Sequence, residues 1–167
     1  MKEIKNFLDW IKEEYRKVEG IVEQREAAYS RIPENLKDPN ALEALIAANE
    51  AIYTGSLKRQ RAKLLEEIKQ RAQEIAKKYR ARIEIQKVLE YDYFFRRSEG
   101  PRITRVSVRV PIVQRPVWNS DERQFKEFVL DLETNDYYEQ EFISTSEWNY
   151  AKNAWREPFN ERHTVIT

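Results

Sequence analysis

Cysteine is absent from the 167 residues, which excludes disulfides, thiolate nucleophiles and cysteine-held zinc. Histidine occurs once, at His163. Imidazole-based activation of a nucleophile would depend on that residue alone, and it reads as a solvated histidine in the C-terminal tail. Glycine stands only at Gly20, Gly55 and Gly100. No glycine-rich loop is left to wrap a phosphate, so P-loop and dinucleotide-binding readings fall away. No apolar run approaches the ~18 residues needed to cross a bilayer. The opening MKEIKNFLDWIKEE mixes acids and bases and has no apolar core of signal-peptide length. The expectation is a cytoplasmic or particle-assembled protein with no membrane partner and no cofactor.

Charge, by contrast, is plentiful. Lys and Arg number 30 and Asp and Glu 29, giving a net charge of +1. The balance hides an asymmetry. Residues 1–57 carry 8 basic and 11 acidic side chains, residues 58–115 carry 17 and 7, and residues 116–167 carry 5 and 11. A basic middle between acidic flanks is the footprint of either nucleic-acid binding or internal charge pairing.

Hydrophobic spacing organises the chain into a helical unit, residues 1–80, and a sheet unit, residues 81–167, in one continuous domain. Ile4, Leu8, Ile11, Tyr15, Val18 and Val22 follow alternating four- and three-residue steps. They form a narrow seam suited to a helical hairpin or to a partner helix. Asp38-Pro39 is a cap followed by a first-turn proline, and it opens a second, Ala-rich helix that runs to about Tyr53. Gly55-Ser56 then reads as a break with Ser56 as N-cap. Leu57, Leu64, Leu65, Ile68, Ala72, Ile75, Ala76 and Tyr79 line one face of a third helix.

The period changes to two at Arg82. A strand from Arg82 to Arg96, a turn at Ser98–Pro101 and a strand through Thr104, Val106, Val108 and Val110 form a hairpin. Its self-consistent register sets Tyr93 by Val106, Tyr91 by Val108 and Glu90 by Arg109. Pro111 and Pro116 suggest a bend or an edge. Residues 124–133 fit helix or strand, and strand is preferred because Glu133–Asp136 is a turn and Tyr137–Ile143 a partner. A three-residue loop would set Leu132 by Tyr138 and Phe128 by Phe142. Ser144 and Glu147 form a capping box for a closing helix that carries Trp148, Ala151 and Trp155. The tail from Arg162 offers one further short strand.

The expected fold is α+β: a three-helix unit packed on a four-stranded antiparallel meander, with a C-terminal helix. In layout alone it resembles cystatin-like and nuclear-transport-factor-like proteins, a likeness that implies nothing about function.

Candidate functional residues fall into three groups. Lys58, Arg59, Lys63, Lys69, Lys77, Lys78, Arg80, Arg96, Arg97 and Arg102 are candidate phosphate contacts for sequence-nonspecific nucleic-acid binding. Their helical projection makes no single stripe, and Arg61 projects near the apolar face. The seam and the exposed aromatics Trp10, Trp118, Tyr137 and Tyr138 suit a protein partner or self-association. Phe128-Val129-Leu130-Asp131-Leu132-Glu133-Thr134 resembles the first motif of proofreading-type exonucleases. That resemblance implies Asp131 and Glu133 as divalent-metal ligands for phosphodiester hydrolysis. It covers seven residues, and the family's further acidic motifs lie in a longer stretch than follows here. Cross-strand neutralisation of Glu127, Asp131 and Glu133 by Arg105 and Arg109 is the favoured account of these acids. The leading expectation is a non-enzymatic interaction or assembly protein, with the nucleic-acid module second and the carboxylate-metal hydrolase third.

Overall fold

A computed structural model describes residues 2–33, 36–92, 97–112, 123–144 and 163–166. Helix α1 spans Lys2–Ser30, α2 Pro39–Asn49 and α3 Gly55–Tyr79, with a π-helical turn at Glu50–Thr54 between the last two. Strands β1 (Arg82–Asp92), β2 (Arg97–Ile112), β3 (Arg123–Asp131), β4 (Asp136–Ser144) and β5 (His163–Ile166) form one antiparallel sheet in the order β4-β3-β2-β1-β5.

The fold is α+β as expected, with two corrections. Among the described residues the helices are two, not three. Gly55 adopts ordinary right-handed helical angles (φ −62°, ψ −42°), and its N–H donates to the carbonyl of Glu50. The helix therefore runs unbroken from Pro39 to Tyr79, and Ser56 starts nothing. Asp38 does cap α2, accepting from the backbone N–H of Asn40 at 3.0 Å. The sheet has five strands rather than the four of the expected meander, because the short strand offered by the tail forms as β5, which adds to β1 and aligns Ile83 with Ile166 and Gln86 with His163. The expected closing helix, Tyr93 and Pro116 lie outside the described residues.

The chain gathers into two compact units, and the elements run through both. The first comprises Met1–Lys12, Glu67–Val88 and Ile103–Thr167. Its core takes Ile4, Phe7, Leu8 and Ile11 from α1, and Ile68, Ala72, Ile75 and Ala76 from α3. The sheet adds Ile83, Ile85, Val106, Val108, Phe125, Phe128 and Leu130, all buried. Each such aliphatic or Phe side chain contributes about 1.5–3 kcal/mol of burial. Register pairs Val106 with Leu130 and Val108 with Phe128, so these four share a face. The N-terminal end of α1 reaches that face. Lys5 lies over the Tyr137 ring, and Tyr137 aligns with Leu130. Arg71 of α3 stacks on Trp10 at 3.8 Å.

Two expected registers differ. Phe128 aligns with Glu139, Leu130 with Tyr137 and Phe125 with Phe142. The loop holds four residues rather than three, since Asp131 Oδ1 accepts from the N–H groups of Glu133 and Thr134 and Asn135 takes a left-handed φ of 59°. A shift of three positions exchanges the faces. On the other hairpin, Glu90 bonds Arg102, while Arg109 bonds Glu127 of β3. Tyr91, expected beside Val108, is 44% exposed, whereas Val108 is buried. β2 is an interior strand, with Pro111 as its penultimate residue.

The second unit comprises Glu13–Glu66 and Leu89–Arg102. Val18, Leu57, Leu64 and Leu65 are buried in it together with Glu50, Thr54 and Arg61. Gly100 is what lets β2 approach α3. Its φ is +87°, and a Cβ there would stand 3.2 Å from both Cα and the carbonyl oxygen of Lys58.

Candidate functional site

The π-helical turn is the structural irregularity around which charged groups collect. A π turn inserts one extra residue into the helical ladder, widens it locally, and recurs at functional sites. Here it turns the Glu50 carboxyl inward. Glu50 is 3% exposed, and its Oε1 accepts from the Tyr29 hydroxyl at 2.5 Å. Its Oε2 has no hydrogen-bond partner, and Arg97 Nη1 stands 4.0 Å away. Beside it, Thr54 Oγ1 accepts from Arg25 at 3.2 Å, and Arg25 also bonds Glu99 at 2.6 Å. Glu50, Ala51, Thr54, Gly55, Lys58, Arg97 and Ser98 line a cleft of about 360 Å³.

A second charge cluster lies in the same unit. Arg61, 3% exposed, donates to both carboxylate oxygens of Glu19 (3.0 and 2.6 Å), to Glu90 at 3.4 Å and to the Glu99 carbonyl at 3.2 Å. Burial pulls its pKa down, but the hydrogen bond and charge of Glu19, with Glu90 and Glu99, outweigh that and raise it. Glu90 shows the mirror image. Burial pushes its carboxyl up, and the bond to Arg102 with the nearby Arg61 charge brings it below the usual range. Fork-shaped Arg donors suit such multiple contacts.

On its other side, the α2–π-turn segment is apolar. Seven of the eleven residues of α2 are Ala, Leu or Ile, yet none is buried. Leu45 is 43% exposed and Ile52 60%. Ala44, Ala47 and Ala48 are exposed beside them.

The remaining expected site residues are scattered. Lys58, Arg59, Lys63, Lys77, Lys78 and Arg80 are exposed on or just beyond α3, and Lys69 is half-buried. Lys78 pairs with Glu3, Arg102 with Glu90, and Arg97 approaches Glu50. Arg96 lies outside the described residues. In the seam, Ile4, Leu8, Ile11 and Val18 are buried within the chain, and Tyr15 and Val22 are half-buried. Of the aromatics, Trp10 and Tyr137 are half-buried, Tyr138 is 41% exposed, and Trp118 is outside the described residues. Asp131 uses Oδ1 to close its own turn, and Glu133 is exposed. Among the described residues no group of three His, Asp or Glu side chains could hold a metal ion. Nor is any described helix long and apolar enough to cross a membrane.

The sheet face opposite α1 carries a polar layer of its own. Arg109 bonds Glu127, which is 2% exposed and also accepts from Gln140 at 2.8 Å. Burial, with the neighbouring Arg109 charge, lowers the pKa of Arg82 to about 10, against the opposing influence of Glu84.

No protein-family model, curated protein or solved structure matches this chain.

Sequence spacing missed Glu19, Arg25, Glu50 and Glu99. The one available signal was Arg61, whose position beside the apolar stripe of α3 called for buried carboxylate partners.

Proposed function

We propose that the protein is a non-enzymatic interaction or assembly component that docks a protein partner on the outer face of α2 and the π-helical turn. The observation that carries this reading is a helix rich in Ala, Leu and Ile with no buried residue. Most helical stability in proteins comes from packing an apolar face, and α2, the opening segment of the long helix, packs none of its apolar residues fully within the chain. Leu45, Ala48 and Ile52 supply such a face, and the exposed alanines allow a second helix to approach closely. A second copy of the chain is the simplest occupant, because a self-complementary patch closes into a dimer.

Part of the basic stretch is taken up internally. Of the candidate phosphate contacts, Lys78 and Arg102 hold carboxylates and Arg97 stands 4.0 Å from Glu50, and a surface that tracks phosphates needs its cations available.

Size-exclusion chromatography with light scattering tests the proposal. Wild type is expected above monomer mass at micromolar concentration, and Leu45→Glu/Ile52→Glu at monomer mass with an unchanged circular dichroism spectrum. A wild type that is monomeric throughout, and that captures the same proteins as the double variant, would overturn it.

A further inference from the structure

We infer that the cleft beside the π-helical turn is a binding site for a small zwitterion of the amino-acid class, with the ligand's ammonium on Glu50 and its carboxylate on Arg97 and Lys58. This site is independent of the docking face.

Glu50 Oε2 is a carboxylate oxygen on a side chain 3% exposed, lining the cleft and without a hydrogen-bond partner. Leaving a buried acceptor unsatisfied is costly, and more so when it belongs to a charged group. The groups around it do not remove that deficit. Tyr29 is used on Oε1, Arg25 is held by Thr54 and Glu99, and Arg97 Nη1 at 4.0 Å is beyond hydrogen-bond reach. A ligand donor that enters the cleft would satisfy Oε2, and a positively charged donor would do so best.

The other lining groups set the ligand's second requirement. Lys58, Arg97 and Ser98 are donors, and they stand on the same cleft as the Glu50 acceptor. A cation alone would meet Lys58 and Arg97 as like charges, and an anion alone would leave Oε2 unserved. A molecule bearing both charges a few bonds apart meets both needs. About 360 Å³ lies at the lower end of ligand cavities, which limits the occupant to a small molecule. The π turn is the device that makes the site: without its extra residue Glu50 would rotate away from Arg97.

The experiment is a thermal-shift screen of the full chain against the free common amino acids at ~10 mM, followed by calorimetry on the best binder with its N-acetyl and carboxamide forms. The expected result is that one or more amino acids bind and that both blocked forms bind at least about tenfold more weakly, the scale of one charge-assisted hydrogen bond. Glu50→Gln and Arg97→Ala should each weaken binding by a similar factor. Arg97 is half exposed, so Arg97→Ala keeps the test valid even where Glu50→Gln alters folding. Absence of binding by every amino acid, equal binding of the N-acetyl form, or full binding by Arg97→Ala would each overturn the inference.

Discussion

Gly100 shows how one residue governs a local packing distance. Its positive φ strains any side chain, and the 3.2 Å approach of the Lys58 backbone leaves little space for one. Gly100→Ala should therefore lower unfolding free energy by about 1–3 kcal/mol in urea titrations. Gly20 is the contrasting case. It sits inside α1, and a Cβ added there would meet nothing within 4 Å. Gly20→Ala should stabilise by about 0.5–1 kcal/mol. Arg61 is the residue on which the second unit's buried charges converge. Arg61→Ala strips a 3% exposed cation from Glu19 and Glu90, and a loss of about 3–5 kcal/mol is expected. Arg61→Met combined with Glu19→Met should recover much of that loss, because an apolar pair carries no stranded charge. Chemical denaturation of wild type and these two variants measures both steps.

At the level of elements, the π-helical turn joining α2 to α3 is the feature with most influence. Deleting Ala51 would restore a regular α-helical ladder and turn everything before it by about 100°. Glu50 would leave the cleft and the Leu45–Ile52 stripe would lose its alignment. The deletion variant is expected to keep its helical circular dichroism signal while losing both self-association by light scattering and the amino-acid thermal shift. The β3–β4 hairpin makes a parallel point about register. Asn135 at φ 59° and the Asp131 side-chain turn select a four-residue loop, and loop length then determines which residues align. Strand identity in residues 124–133 was legible from the flanking turn at Glu133–Asp136 and the partner stretch Tyr137–Ile143, since spacing alone also fitted a helix. Register was not, because two loop lengths differing by one residue both fit the same turn signal.

For the molecule as a whole, internal charge pairing predicts sensitivity to acid. The carboxyls of Glu90, Glu3 and Glu139 are all held below their ordinary range. Burial opposes this at Glu90, where Arg102 and Arg61 prevail; hydrogen bonds from Lys78 and Tyr137 lead at Glu3 and Glu139. A folded-state value below the unfolded one gives stability that is present above the unfolded value and is lost as pH falls through the folded one. Stability should accordingly hold from neutrality to about pH 5 and decline below it. Glu90→Gln should flatten part of that decline in equilibrium unfolding followed from pH 7 to pH 2. The same pairing predicts weak association with nucleic acid. Polarisation binding to labelled DNA and RNA should show no steep fall in affinity with salt, whereas tight salt-sensitive binding would point to a phosphate-tracking surface.

Sequence by itself determined the α+β class, the apolar seam of α1, the Asp38 cap, the buried stripe of α3 and the existence of the strands. Each rests on local physics: periodicity, capping and turn chemistry act over a few neighbouring residues. Tertiary structure alone decided that Gly55 continues a helix, that Glu90 meets Arg102, and that Glu19, Arg25, Glu50 and Glu99 gather in two charge clusters around Arg61 and the π-helical turn. Those outcomes depend on which distant groups share a low-dielectric interior. Local spacing carries no information about that until the chain has folded.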